Sequence, residues 1–279
     1  YGFESYDTFT RAFKRVTGIR PSEFKKSGLL CGRKILCSGV YAPAILNTGN
    51  PNSDPQYITE VGFMNKSLKT QDSCILYGVP KVHYGRRVDD CLEFTPFPMC
   101  LQAVLDYMGQ NVHYSYLMAA SGASFRLRWN VKGWDLSAVD IKNIYENQLT
   151  PFELAFKAVG REFKILDKKT CKFQKEDFID LIKSEIDEGR PVIALGVVGP
   201  PEASIITGYR DNCNTLLGWS LFQDNMEFAK DISFDETGYF ICNNWWENTE
   251  AVMAIGEEIT SMTSVKEILE NAYYLMTTD

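Results

Sequence analysis

The sequence is poor in the residues that build metal sites. It has only two histidines, His83 and His113, and its eight cysteines include no Cys-x-x-Cys pair. Structural zinc sites need closely spaced cysteine and histidine pairs, so we expect no zinc site, and nothing in the sequence indicates another metal or a cofactor. Scattered cysteines in a chain of 279 residues are typical of reduced thiols, so we expect a cytoplasmic protein.

Long apolar runs are also missing. No stretch of eighteen apolar residues occurs, so the sequence predicts no membrane span. No signal peptide is recognisable, but the chain begins at Tyr1 rather than Met, and we expect that residues before it are absent. The length allows a large buried core and more than one structural unit.

Charge is unevenly distributed along the chain. Residues 1–26 hold six basic and three acidic residues, a net charge of +3. Residues 27–279 hold 23 basic and 33 acidic residues, a net charge of −10. A basic segment on an acidic body favours a nucleic-acid contact through that segment, although six basic residues are also typical of a solvated surface.

Residues 1–27 are predicted to be helical. Ser5 is a suitable N-cap for a helix over 6–16, in which Phe9 and Phe13 share one face and which Gly18 ends. The polar face carries residue types that contact bases and phosphates. The predicted DNA-contacting residues are Ser5, Tyr6, Asp7, Thr8, Arg11, Lys14 and Arg15.

This segment resembles the C-terminal end of an AraC/XylS-type helix-turn-helix domain. The residues that carry the resemblance, at fixed spacing, are Gly2, Phe3, Ser5, Phe9, Arg11, Phe13, Lys14, Gly18, Pro21, Phe24 and Lys25. The resemblance implies that the helix over 6–16 is a recognition helix of a transcriptional regulator. It covers under a tenth of the chain, and the rest of that family's domain is absent from the sequence.

Residues 28–74 show little periodicity and are predicted to be a linker. The stretch 47–55 is rich in Asn, Gly, Pro and Asp, which favour turns. We expect the main domain to occupy residues 75–279.

The periodicity of the main domain predicts an α+β fold with helices first and an antiparallel sheet afterwards. Helices are predicted at about 99–108, 114–122, 137–146, 151–159, 175–188 and 265–274. Strands are predicted at about 75–79, 125–129, 164–167, 191–198, 203–209, 215–222, 238–243 and 250–257. A tight turn between two of these strands, 203–209 and 215–222, predicts a hairpin.

Cys100 is the candidate for a chemically special residue. It is predicted in the first turn of the helix over 99–108, whose core face includes Leu101 and Leu105. Open backbone N–H groups and the positive end of the helix dipole favour a thiolate there. A structural, buried thiol remains an equally good interpretation.

The main domain resembles the papain-like fold of bacteriocin-processing cysteine peptidases and of related acyltransferases of the butirosin pathway. Two motifs carry the resemblance, namely Cys100-x-x-x-x-Leu105-x-Tyr107-x-Gly109 and Arg190-Pro-Val-Ile193. The resemblance implies a catalytic cysteine at Cys100. It also implies a cleft between the helical half and the sheet.

The chain departs from that family at the catalytic histidine. Six residues before Gly208, where that family has its catalytic histidine, the sequence has Glu202. The position of the family's third catalytic residue falls near Ser220. A cysteine nucleophile needs a neighbouring base, and a carboxylate disfavours the thiolate. Activity would need a strongly raised pKa of Glu202 or a base borrowed from His83 or His113, so the interpretation leans away from an enzyme.

The sequence therefore predicts a regulator whose degenerate peptidase-like domain binds a small-molecule or peptide effector. The predicted ligand-binding residues are Cys100, Arg126, Trp129, Glu202, Trp219 and Asp224, with Trp245 and Trp246 as further candidates. A Cys100-dependent hydrolase or acyltransferase with an attached DNA-binding domain is the alternative. A purely structural dimerisation domain is a third interpretation, and a homodimer is left open.

Overall fold

The computed structural model describes residues 67–88, 91–126, 141–169, 173–259 and 263–277. All of them belong to one compact unit, Phe63–Asp279. The predicted DNA-contacting residues, most of the predicted linker and Trp129 lie outside these ranges. In the described part of the chain, no helix is both long and apolar enough to cross a membrane.

The described ranges contain six α-helices and one 3-10 helix. The α-helices are α1 (Pro96–Tyr107), α2 (Tyr114–Ala120), α3 (Thr150–Ala158), α4 (Lys175–Asp187), α5 (Trp245–Asn248) and α6 (Val265–Thr277). The helix predicted at 137–146 is wrong in its described part, where only a 3-10 turn, Ile141–Asn143, is present. The other five predicted helices are confirmed, with ends within three residues of the observed ones.

Eleven strands are present in the same ranges. They are β1 (Ser67–Lys69), β2 (Cys74–Leu76), β3 (Arg86–Val88), β4 (Cys91–Glu93), β5 (Arg161–Asp167), β6 (Val192–Leu195), β7 (Ala203–Arg210), β8 (Thr215–Ser220), β9 (Ile232–Phe234), β10 (Phe240–Cys242) and β11 (Ala251–Glu258). The strand predicted at 125–129 is wrong at its described residues, because Phe125 lies in a turn and Arg126 is in no strand. β1 lies within the stretch predicted to be linker.

Nine of these strands form one antiparallel sheet, which confirms the α+β prediction. Their order is β5-β11-β6-β7-β8-β10-β9, with β2 paired to the second half of β7 and β1 paired to β2. The predicted hairpin of β7 and β8 is confirmed, with Ser204 opposite Ser220. The last strand, β11, lies between β5 and β6.

Helices cover both faces of the central strands. Every residue of β6 and β8 is buried, as are the first seven of β7. α1 and α4 both pack on β6 and β7. Neighbouring side chains of β5 separate the two faces, because Phe163 stacks on Phe156 of α3 whereas Lys164 and Leu166 lie beside α4. α3 extends the α1 side, where Phe97 and Phe152 meet edge to face with ring centroids 4.7 Å apart.

The turn of the β7–β8 hairpin has an uncommon backbone. Asp211, Asn212 and Cys213 have φ angles of 51°, 52° and 66°, in the left-handed region that asparagine and aspartate tolerate better than most residues. The backbone N–H of Asn212 donates to the backbone oxygen of Asp72 over 2.9 Å. The β1–β2 turn therefore holds this hairpin tip in place.

Candidate functional site

Cys100 lies one turn further into its helix than the sequence predicted. α1 begins at Pro96, so Cys100 is its fifth residue rather than part of its first turn. Two residues of that turn, Pro96 and Pro98, lack a backbone N–H, and the N–H of Met99 already donates to the oxygen of Thr95 over 3.3 Å. The open N–H groups that would favour a thiolate therefore do not surround Cys100.

The Cys100 side chain is buried. Its exposed fraction is 0%, and Sγ donates to the backbone oxygen of Ala203 over 3.5 Å. Ala203 is the first residue of β7. The cysteine helix therefore contacts the start of β7, and the thiol points at a carbonyl oxygen in the core.

Glu202 lies at the same end of β7, immediately before Ala203. Its carboxylate is only partly exposed. Its backbone belongs to a tight loop, because the N–H of Gly196 donates to the Glu202 oxygen over 3.1 Å and the N–H of Glu202 donates to Pro200 over 2.6 Å. The structure therefore brings Cys100 and Glu202 to one end of the central sheet.

The end of β8 lies beside the start of β7. Ser220, the candidate for the third catalytic position, is opposite Ser204 in the register and so lies at this end of the sheet. Ser220 Oγ donates to the backbone oxygen of Val198 over 3.5 Å and accepts from the N–H of Phe222 over 3.2 Å. The hydroxyl of Ser220 thus makes both of these hydrogen bonds with main-chain atoms.

Two polar side chains at this end were missed by the sequence reasoning. Gln223 is buried, with Oε1 accepting from the N–H of Ser220 over 2.9 Å and Nε2 donating to Gly238 over 3.1 Å. Ser204 Oγ is buried without a hydrogen-bond partner among the described residues. Neither side chain belongs to a sequence motif. The register of β7 and β8 places Ser204 here, and the hydrogen bond with Ser220 places Gln223.

Neither histidine lies in the core with Cys100. The Nδ1 atom of His113 accepts from the N–H of Ser115, and the residue caps the N-terminus of α2. His83 is exposed, with Nδ1 3.2 Å from the backbone oxygen of Tyr84. Both imidazoles therefore have local structural contacts at the surface, whereas the thiol of Cys100 is enclosed.

Trp219 and Asp224 belong to a packed corner near the end of β8. Trp219 is 7% exposed, and its Nε1 donates to the backbone oxygen of Val79 over 2.9 Å. Its ring meets Tyr239 edge to face at 4.8 Å. Lys81 lies over the same ring, 5.3 Å from its centroid, and pairs with the exposed Asp224 over 3.3 Å. These contacts make Trp219 a packing residue.

Trp245 and Trp246 lie near α4, which covers the sheet face opposite α1. Trp245 is fully buried and its Nε1 donates to the backbone oxygen of Cys213 over 2.8 Å. Trp246 meets Phe178 of α4 edge to face at 5.1 Å, and Lys168 Nζ lies 3.6 Å from its centroid. Contrary to the prediction, Trp245 and Trp246 do not line one cleft with Cys100.

Burial makes the other described thiols poor nucleophiles. It raises the pKa of Cys213 to about 12 and also raises the pKa values of Cys74 and Cys242. Because the thiolate is the nucleophilic form, these three cysteines are inert near neutral pH.

A groove of about 500 Å³ lies elsewhere, between α4 and the edge strand β5. We call it the α4–β5 groove. Its walls include Lys164, Ile165 and Leu166 from β5 and Asp177, Asp180 and Leu181 from α4. None of the predicted ligand-binding residues lines it. In the described ranges, no group of three or more His, Cys, Asp or Glu side chains is arranged to hold a metal ion.

Comparisons with protein-family models, with curated proteins and with solved structures find no match to this chain.

Proposed function

We propose that the unit Phe63–Asp279 forms the effector-binding domain of a DNA-binding transcriptional regulator and that this domain does not act as a cysteine enzyme. The observation that carries the proposal is the environment of Cys100. Its thiol is fully buried and donates to the Ala203 oxygen, and the residue before Ala203 is a glutamate.

The chemistry of nucleophilic catalysis explains why this environment favours binding over turnover. A cysteine nucleophile must lose its proton to a nearby base and must reach the substrate. Cys100 donates its proton to a carbonyl oxygen, which cannot accept it fully, and no part of its side chain is exposed. Glu202, next to Ala203 in the chain, carries an acidic group and not the imidazole that would form a thiolate–imidazolium pair.

The DNA-binding part of the proposal depends on residues 1–27, which lie outside the described residues. Support comes from the residue pattern of the AraC/XylS-type segment and from its net positive charge on an acidic chain. The affinity of this segment for DNA should fall steeply with salt, because contacts to phosphates dominate such binding.

Alkylation of the full chain with iodoacetamide at pH 7 tests the catalytic question. We expect Cys100 to react no faster than the buried Cys213 and Cys242, with labelling followed by peptide mass spectrometry. Rapid, selective labelling of Cys100, together with an ester or amide turnover that is lost in Cys100→Ala, would establish the enzyme alternative and reject the proposal.

Fluorescence anisotropy with random duplex DNA tests the proposed DNA binding by residues 1–27. We expect binding that weakens as salt rises and that Arg11→Ala reduces, while Lys266→Ala on the exposed face of α6 leaves it unchanged. Equal binding by both variants, or no binding even at low salt, would count against a DNA-contacting role for residues 1–27.

A further inference from the structure

The α4–β5 groove exists because the sheet extends past the helix that covers it. The buried stripe of α4 consists of Phe178, Leu181, Ile182 and Ile186, which pack on the central sheet. The neighbouring stripe, Asp177, Asp180 and Ser184, is exposed and has short side chains. Short side chains beside an edge strand leave an open channel with a partly apolar floor.

Opposite charges lie on the two walls of the groove. Lys164 of β5 and Asp180 of α4 are both exposed, and neither has an ion-pair partner in the described ranges. One carboxylate oxygen of Asp177, Oδ2, already accepts a hydrogen bond from the N–H of Gln174 over 2.7 Å. A ligand that carries one ammonium and one carboxylate group would neutralise both open charges.

The backbone of β5 adds hydrogen-bonding groups on the same side. At one end of β5 the N–H of Lys168 donates to the backbone oxygen of Glu250, and at the other end the backbone oxygen of Gly160 accepts from the N–H of Ile259. The backbone N–H and C=O groups of the even-numbered residues of β5 therefore point towards β11. Backbone groups alternate in direction along an antiparallel strand. Those of Phe163 and Ile165 therefore point away from β11, and among the described strands none pairs with that edge of β5.

The floor of the groove is apolar. Leu166 and Leu181 are buried beneath it, and Ile165 and Phe173 are partly exposed at its sides. A volume of about 500 Å³ lies within the range of pockets that hold small organic ligands, about 300–1,000 Å³. The groove thus offers two charges, open strand backbone and an apolar floor in one place.

We propose that the α4–β5 groove binds a peptide of two or three residues with free termini, as the effector of this domain. The N-terminal ammonium pairs with Asp180, the C-terminal carboxylate pairs with Lys164, and the peptide backbone adds to the open edge at Ile165. An apolar side chain packs on Leu166 and Leu181. The assignment rests on the proposed effector-binding function and names the chemistry of the effector.

The test incubates the full chain with a synthetic library of tripeptides, Xaa-Leu-Xaa, with free termini. Retained peptides are identified by mass spectrometry after size-exclusion chromatography. We expect retained members, and at least about tenfold less retention for the same library acetylated and amidated, because blocked termini lose both charge pairs.

Substitutions in the α4–β5 groove test whether the retained peptides are bound there. We expect the double variant Lys164→Gln, Asp180→Asn to lose retention by about tenfold or more. The control, Lys266→Gln, Glu270→Gln, removes an exposed ion pair of α6 and should retain peptides like the unmodified chain. Both double variants change only exposed side chains, so circular dichroism should show the same fold for each.

Three results would overturn the assignment: no retained tripeptide, equal retention of the blocked library, or equal retention by the groove variant. None of these results affects the alkylation test of Cys100. A chain that retains no peptide but leaves Cys100 unreactive would therefore reject this groove and keep the proposed non-catalytic domain.

Discussion

The thiol of Cys100 donates to the backbone oxygen of Ala203, with 3.5 Å between the sulfur and the oxygen. This contact joins α1 to the first residue of β7 across the core. Its surroundings are those of a packing residue, because the exposed fraction of Cys100 is 0%.

Cys100→Ala should lower the free energy of unfolding by about 1–2 kcal/mol, because it removes a buried sulfur and leaves a small void. Urea denaturation followed by circular dichroism measures the change. Met226→Ala is the control, since Met226 is 89% exposed and its removal should cost under about 0.5 kcal/mol. A Cys100 variant as stable as the unmodified chain would contradict a packing role.

Alanine substitutions at Gly196 and Gly109 distinguish the cost of a left-handed backbone from the cost of a steric clash. Both have left-handed φ angles, +86° and +83°, but a Cβ at Gly196 would overlap the backbone oxygen of Asn248 while one at Gly109 meets open space. We expect Gly109→Ala to cost about 1–2 kcal/mol and Gly196→Ala clearly more. Chemical denaturation of both variants measures this, and equal costs would show that the approach to Asn248 is not tight.

Tyr209 ties β7 to α4 through Asp187. Its hydroxyl donates to Oδ1 over 2.7 Å, and the same carboxylate pairs with Lys69 over 3.0 Å. Burial and the hydrogen bond to Asp187 both raise the pKa of Tyr209. Tyr209→Phe should cost about 1.5–3 kcal/mol, as expected for a hydrogen bond to a charged group.

Thermal unfolding compares Tyr209→Phe with Tyr273→Phe, whose ring is 58% exposed on α6. We expect a lower Tm only for Tyr209→Phe. A shift of the same size in both variants would show that the hydroxyl of Tyr209 adds nothing to stability.

Glu250 should make stability depend on pH in the acid range. Burial alone would raise its pKa, but hydrogen bonds from Lys142 and Lys169 outweigh burial and lower it below the usual 4.5. A lowered pKa in the folded state means that the unfolded state binds more protons, so the contribution is present above about pH 4.5 and is lost as pH falls through the folded value.

Urea denaturation at pH 7, 5, 4 and 3 tests this expectation. Glu250→Gln should be less stable than the unmodified chain at pH 7, by about 2–3 kcal/mol, because Lys142 stays buried without its carboxylate. The difference should shrink as pH falls, because the unmodified chain loses the contribution of Glu250 as that carboxylate takes up a proton. The exposed Glu236→Gln is the control, and a difference that does not change with pH would contradict the expected coupling.

The α+β fold and most helix positions could be predicted because they follow from local patterns. The stripe of Phe178, Leu181, Ile182 and Ile186 requires a helix with one buried face, and Gly189 ends it with a φ of +82°. The hairpin of β7 and β8 follows from a short polar turn between two apolar runs. In each case the residues that determine the element lie within a few positions of one another.

The site could be predicted only in part, because it depends on contacts between distant residues. The resemblance assigned the nucleophile position to Cys100 and the histidine position to Glu202, and in the structure these two residues lie at one end of the sheet. It could not show that α1 begins at Pro96, nor that Cys100 Sγ meets the Ala203 oxygen. Those facts depend on how α1 packs on β7.

The sequence by itself determined most of the longer elements, their order and the chemical character of each segment, because periodicity, caps and turn residues act locally. Only the tertiary structure decided which side chains are accessible. It enclosed Cys100, Trp219 and Trp245, and it left Lys164 and Asp180 open on the walls of one groove. Accessibility depends on packing between elements far apart in the chain, and here β11 enters between β5 and β6 and makes β5 the edge.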